Sequence, residues 1–367
     1  MLFDIRPKTR REELYDFDRE LEELIKGVRL NPLTIVIGIR RSGKTSLLRV
    51  ALNEIGYPYI YVDPRFSEAP TYRDFAYILR DSLEDFLGRY GGLRERIIKF
   101  LRSVKGVSIS TPGFSVEVGW RGSERLELGE LLVALDGLGG DLGKSIVIAI
   151  DEAQELSRIT WISFTRIFAF AYDNLRNLRI VLTGSEVGVL FKFLGLEDPG
   201  SPLYGRYVHV VRTRRLTREE SVDFLERGFS ELGIRVPRSI IETAVEELDG
   251  VIGWLTLFGY TCYLNPNACT EGIDKVLEQA VRIGREELER FLSMSRSSRY
   301  RSLLRILTTE RRWSEIKRML EMDEGRTIND RTLYEHLRRL IELSIVEKRD
   351  DTYVISDPVL RRAAMLL

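Results

Sequence analysis

Eight consecutive residues, Gly38-Ile39-Arg40-Arg41-Ser42-Gly43-Lys44-Thr45, match G-x-x-x-x-G-K-[ST] in full, and they constrain this chain more than any other stretch of it. The two glycines let the backbone curl until its N–H groups converge on a phosphate, and a following helix adds the positive end of its dipole. The flanks suit that geometry. Residues 34–37 form a short β-branched run and residues 44 to about 55 have helical character, so strand, loop and helix follow in order. Residues Gly38 to Thr45, with Ser46 behind them, are therefore the candidate phosphate cradle. In it Lys44 would reach the β- and γ-phosphates and the Thr45 hydroxyl would ligate Mg²⁺.

Such a cradle needs a carboxylate on a nearby strand. Residues 145–150, SIVIAI, read as a buried strand, and Asp151-Glu152 arrive at its carboxyl end, where open parallel sheets place their ligands. Asp151 is the candidate partner for Mg²⁺. Glu152 is the candidate general base that polarises the attacking water. The distance in sequence from Lys44 to Asp151 leaves room for a further strand between the two motif strands, and a glutamate next to Asp151 suits hydrolysis rather than transfer to an acceptor.

Around these motifs the chain alternates strands and helices. Strands are expected at 34–37, 59–62, 145–150, 179–182 and 207–211, with helices at 11–27, 44–55, 72–90, 92–102, 127–138 and 161–174. That alternation predicts an α/β fold, a parallel sheet covered by helices on both faces. Residues 104–119 break the rhythm: two alternating runs flank Thr111-Pro112-Gly113, the signature of an inserted β-hairpin. From 216 to 292 the periodicity is helical, and the small, polar and basic run 293–299 marks a boundary. The remainder reads as three helices and a two-stranded turn, a winged helix-turn-helix. Three domains follow: 1–215, an α-helical lid at 216–292, and a winged helix at 293–367.

Composition narrows the classes. With 56 Lys+Arg against 56 Asp+Glu, the net charge of zero disfavours a protein that coats nucleic acid over its whole surface. Two cysteines and two histidines offer no disulfide scaffold and no metal spacing, so Cys262 and Cys269 are expected as buried thiols. No apolar run approaches the ~20 residues that span a bilayer, so no membrane partner is expected. The first residues lack the apolar stretch of a signal peptide, which makes the cytoplasm the expected location. Of the 56 basic residues ten are lysine, an arginine bias that some thermophile families share.

The opening FDIRPKTRREELYDFDREL, the Walker A loop, IAIDEAQEL, LTGSEVGVL and SPLYGR, taken in that order, resemble the archaeal ATPase family. That family belongs to the STAND branch related to AAA+ and origin-recognition ATPases. The resemblance covers about residues 3–260 and implies a P-loop, AAA+-like ATPase that binds ATP and Mg²⁺, with the winged helix as an appendage. It also implies site roles. The segment 14–20, with Tyr15, Phe17 and Arg19, would line the base, although Asp18 stands where the family has glycine. Thr183-Gly184-Ser185 resembles sensor 1, with Ser185 reading the γ-phosphate. Arg206 sits where relatives carry an arginine that acts as a finger on a neighbouring subunit or bridges domains. In Gly250-Val251-Ile252-Gly253-Trp254-Leu255, Ile252 replaces the family's proline, and no arginine of sensor 2 type is visible.

The candidate recognition helix, 329–340, presents Arg331, Arg338 and Arg339 with Tyr334. From residue 296 onward 16 basic residues face 12 acidic ones, a modest surplus for duplex binding. The expectation is thus an ATP-binding, Mg²⁺-dependent ATPase whose nucleotide state repositions the lid and winged helix. Two alternatives stay open: a nucleotide-gated DNA-binding protein, and a STAND-type regulatory switch acting on protein partners or on further copies of itself.

Overall fold

In the computed structural model the described residues are 1–65, 70–110, 115–120, 126–266, 269, 273–295 and 297–367. Strands β1 (Leu33–Ile37), β2 (Tyr59–Val62), β5 (Ile146–Ile150), β6 (Leu178–Gly184) and β7 (His209–Arg212) form one parallel sheet in the order β2-β5-β6-β1-β7. The expected extra strand is β6, which separates β1 from β5. Every residue of β1 and β5 is buried, as strands covered on both faces must be. Their side chains alternate. Ile35, Ile37 and Ile148 enter one core with α3 (Tyr72–Arg89), α5 (Leu128–Leu142) and α6 (Phe164–Asn174). Val36, Val147 and Ala149 enter the other, with α1 (Asp18–Leu30), α2 (Lys44–Glu54) and helices further along the chain.

The register aligns the carboxyl ends. Ile37 pairs with Gly184, and Ile150 pairs with both Leu182 and Val62, so residues 38, 151 and 185 emerge along one edge of the sheet. The expected hairpin is present as β3 (Val107–Ser110) and β4 (Ser115–Val118), antiparallel to each other. Its turn, Thr111-Pro112-Gly113, lies outside the described residues.

Three expectations need correction. The first helix does not span 11–27. Residues Arg11–Glu13 form a short 3-10 turn, Asp16 takes a positive φ of 50°, and α1 begins only at Asp18. The Asp16 carboxylate is held there by Arg214, 2.8 Å away, which draws the segment out of helical geometry. Similarly α6 starts at Phe164 rather than near Trp161. Finally, Cys262 and Cys269 are not separate thiols. Their Cα atoms lie 5.4 Å apart and a disulfide joins them inside the core, a proximity that C-x6-C spacing alone does not encode.

Helix α7 (Val187–Leu194) lies between β6 and β7, and beyond β7 come α8 (Arg218–Leu232), α9 (Arg238–Leu248) and α10 (Ile252–Leu264), then the long α11 (Ile273–Met294). Leu277 and Ala280 of α11 pack with α8 to α10, whereas Leu288 packs with the terminal helices, so one helix serves two cores. The terminal helices are α12 (Arg299–Ile306), α13 (Trp313–Glu324) and α14 (Asp330–Glu342). With β8 (Arg311–Arg312), β9 (Val346–Arg349) and β10 (Thr352–Ile355) they form a winged helix. A last helix, α15 (Pro358–Ala364), unforeseen in the sequence, is capped by Asp357 and packs on α11.

Candidate functional site

The loop from Gly38 to Gly43 joins β1 to α2. Gly43 takes a positive φ of 86°, which swings the chain into the helix, and no side chain caps the first turn of α2. Its orphan N–H groups therefore point into the cavity above. Lys44 is buried, and its Nζ donates to the Ile39 carbonyl at 2.8 Å. Burial pushes the Lys44 ammonium downward, while Glu152 and Asp151 pull it back up. A buried cation facing two carboxylates beside free amides is an environment prepared for anionic oxygens.

Asp151 is almost fully buried at the end of β5. Its Oδ2 accepts from Thr45 Oγ1 at 2.9 Å and from Tyr61 OH at 2.7 Å, and its Oδ1 accepts from Thr183 Oγ1. Thr45 and Asp151, expected as the metal pair, are thus in direct contact. Among the described residues no group of three or more His, Cys, Asp or Glu gathers to cage a metal. One carboxylate with one hydroxyl is the sparse set that Mg²⁺ accepts when phosphates complete its shell.

Glu152 follows with a positive φ of 47°, a strained position that turns its carboxylate back over the sheet edge. Its Oε2 accepts from Gln154 Nε2 at 2.7 Å and from the amide and hydroxyl of Ser185 at 3.0 and 2.7 Å. Burial works to raise its pKa, but Lys44 and these hydrogen bonds outweigh burial and hold it below the usual glutamate range. Ser185 thus reaches the acid at the end of β5, and Thr183 reaches the other.

A cavity of about 390 Å³ opens above the loop and runs toward the amino-terminal segment. Gly43, Lys44, Thr45, Ser46 and Glu152 line it. Leu14, Tyr15, Phe17, Ile252 and Leu257 give it an apolar wall. Tyr15 is fixed by hydrogen bonds from its hydroxyl to Asp223 at 2.5 Å and to the Glu220 carbonyl at 3.0 Å. Ile252, in the place of the family proline, faces Gly43.

Two expected residues stand elsewhere. Arg19 is exposed on α1 and does not line the cavity; its neighbour Glu20 is the buried one, 3.3 Å from Arg214. Arg206 pairs with Asp173 of α6 at 2.6 Å and with the Pro202 carbonyl, and it does not line the cavity above the phosphate loop. Ser46 lies at the cavity but accepts from the Lys8 amide at 3.1 Å.

The Arg40 and Arg41 side chains find their partners on later elements of the chain, and Arg41 also lines the cavity. Arg40 pairs with Glu287 of α11 at 2.5 Å and with Glu186 at 2.9 Å, and Arg41 pairs with Glu287 at 3.2 Å. The Arg41 guanidinium also stacks on Trp254 of α10, whose Nε1 donates to both oxygens of Asp357 at 2.9 Å. Gly253 permits this approach: a Cβ there would stand 2.7 Å from that of Arg41. Sequence shows Trp254 only as part of the segment 250–255, and it does not mark Glu287 or Asp357, because each is a single residue on or capping a separate helix.

On α14 the candidate DNA-facing bases are already paired. Arg331 meets Glu335 at 3.0 Å, and Arg338 and Arg339 meet Glu342 at 2.9 and 3.6 Å. The carboxyl end of α14 docks on α7, where Lys192 lies 3.8 Å from Glu342 and the Val187 amide donates to Ser344. No helix among the described residues is long and apolar enough to cross a membrane.

Comparison with known proteins agrees with this anatomy. The model of an ATPase domain found predominantly in Archaea matches residues 14–257, and that of the MCM protein C-terminal winged helix-turn-helix domain matches 294–356. A Walker-type ATPase of Pyrococcus abyssi is 36% identical over 99% of both chains, with a TM-score of 0.83. The Aeropyrum pernix ORC2 protein, solved in ADPNP–ADP complexes, shares the fold at 15% identity and a TM-score of 0.59, over 100% of this chain and 97% of its own. No curated protein sequence matches the chain.

Proposed function

Because the chain belongs to the family of ATPase domains found predominantly in Archaea, we propose that it is a Mg²⁺-dependent ATP hydrolase of the STAND type. In this reading its nucleotide state is passed to a helical lid and a winged helix. The observation that carries the hydrolytic part is the arrangement of Lys44, Thr45, Asp151 and Glu152 at one sheet edge, with an apolar cavity wall beside it. The amides of residues 38–46 and the Lys44 ammonium bind the phosphates, Thr45 and Asp151 hold the Mg²⁺, and Tyr15, Phe17 and Ile252 flank the base. When bound there, Mg²⁺ would supply compensation for the negative charge of the phosphates. Glu152, kept ionised and oriented by Gln154 and Ser185, aligns a water for in-line attack and takes its proton.

Transmission to the other domains, taken as 1–215, 216–292 and 293–367, runs through the loop's own arginines. Arg40 and Arg41 sit between the phosphate amides and Glu287, Trp254 and Asp357, so a charge arriving at the loop alters their pairing. The paired bases of α14 and its docking on α7 support the winged helix acting as a nucleotide-responsive cover rather than as a standing DNA clamp. A hydrolysis assay with and without duplex DNA, over a range of protein concentrations, tests this. Turnover that needs Mg²⁺ and is indifferent to DNA supports the cover reading; strong DNA stimulation supports the alternative, a nucleotide-gated DNA-binding protein.

A further inference from the structure

Tyr61 belongs to no motif, yet it holds the carboxylate on which the metal site depends. Strand β5 lies between β2 and β6 in the sheet. From β2, the Tyr61 hydroxyl donates to Asp151 Oδ2 at 2.7 Å, and from β6 the Thr183 hydroxyl donates to Oδ1. Each carboxylate oxygen is thus gripped from a different neighbouring strand, which fixes the plane of the group. The grip on the β2 side is itself braced, because the Arg49 guanidinium of α2 lies 4.7 Å from the centroid of the Tyr61 ring. Helix α2 also carries Thr45, whose hydroxyl shares Oδ2 at 2.9 Å.

We infer that Tyr61 is a positioning residue that sets the Asp151 carboxylate for a divalent cation shared with Thr45. The chemistry follows from the donor count. An ionised carboxylate has about four lone-pair sites, and Thr45 must turn its oxygen toward the cation when one is bound. Tyr61 then remains on Oδ2 and prevents the carboxylate from rotating, while leaving lone pairs free for the cation's shell. Losing a partner that orients a ligand in this way typically costs a metal site roughly 10- to 100-fold in affinity.

This inference rests on the Mg²⁺-dependent reading above, and its test separates the two. The full chain and its Tyr61→Phe variant, which removes one hydroxyl and keeps the ring over Arg49, are titrated with a fluorescent ADP analogue in EDTA and then at increasing Mg²⁺. For Tyr61→Phe the expected result is unchanged nucleotide affinity in EDTA and an Mg²⁺ half-saturation raised about tenfold. A merely structural role would lower affinity in EDTA as well, and that result overturns the inference, as does a half-saturation within about twofold of the parent. If the parent chain binds the analogue with no Mg²⁺ dependence at all, the reading of the site fails and the inference falls with it.

Discussion

The guanidinium of Arg41 lies 4.1 Å from the centroid of the Trp254 ring, so the phosphate loop rests directly on a helix that is in turn hydrogen-bonded to the residue capping the last helix of the chain. Asp357 completes the path. It accepts from the indole and from the amides of Val359 and Leu360, and burial raises its pKa against those hydrogen bonds. A loop whose job is to bind phosphate is thereby tied to an element some three hundred residues further along the sequence.

Trp254→Phe keeps an aromatic face for Arg41 and removes the indole donor from a buried carboxylate. The loss of a hydrogen bond to such a group costs about 2 kcal/mol. The variant is expected to melt earlier and to exchange its amides faster in residues 358–364 while still binding nucleotide. Unchanged exchange there would break the proposed path.

The disulfide gives a second prediction. Cys262 and Cys269, seven positions apart, close a short loop, and removing such a link costs about 2 kcal/mol in the chain-entropy account. Replacing both by serine should lower the melting temperature, and reductant should lower that of the parent chain to match. Equal melting of parent and variant without reductant would show that the bond contributes nothing.

Acid should weaken the contact where α8 meets the amino-terminal segment. The Glu220 carboxyl is held at about 2, chiefly by its hydrogen bond from Arg214, with the Thr217 amide adding to it. A carboxyl lowered in the folded state stabilises the fold above its ordinary range, and that stability drains away as pH falls toward about 2. Melting curves of the parent chain should therefore decline through that window more steeply than those of Arg214→Met. Parallel curves would contradict the assignment.

For Arg206 the pairing with Asp173 makes a clear statement. Arg206→Ala should leave nucleotide affinity unaltered, since the residue does not line the cavity. Hydrolysis should fall only at protein concentrations that bring a second copy alongside. A loss of affinity in dilute protein would place Arg206 in the site of its own chain.

How much of this could be read in advance depends on where each interaction lives in the chain. The glycines and Lys44-Thr45 are consecutive, and Asp151-Glu152 terminate an unbroken apolar strand, so local pattern sufficed for both. Parallel order followed from alternation, and β6 from the spacing between motifs. What stayed illegible depends on contacts between distant single residues. Tyr61 meets Asp151 because of strand order, Trp254 meets Asp357 because a late helix folds back, and Cys262 meets Cys269 at a distance that spacing does not specify. The start of α1 was misplaced because a tertiary partner, Arg214, holds Asp16 outside the helix that its periodicity suggested.

Glu152 carries the central claim, and one variant tests it. In Glu152→Gln the hydrogen bonds from Ser185 can persist while the base is lost, so nucleotide affinity should equal that of the parent and steady-state hydrolysis should drop by roughly 10²- to 10⁴-fold. Hydrolysis by Glu152→Gln at the parental rate, with affinity intact, would show that water is activated elsewhere and would contradict the account.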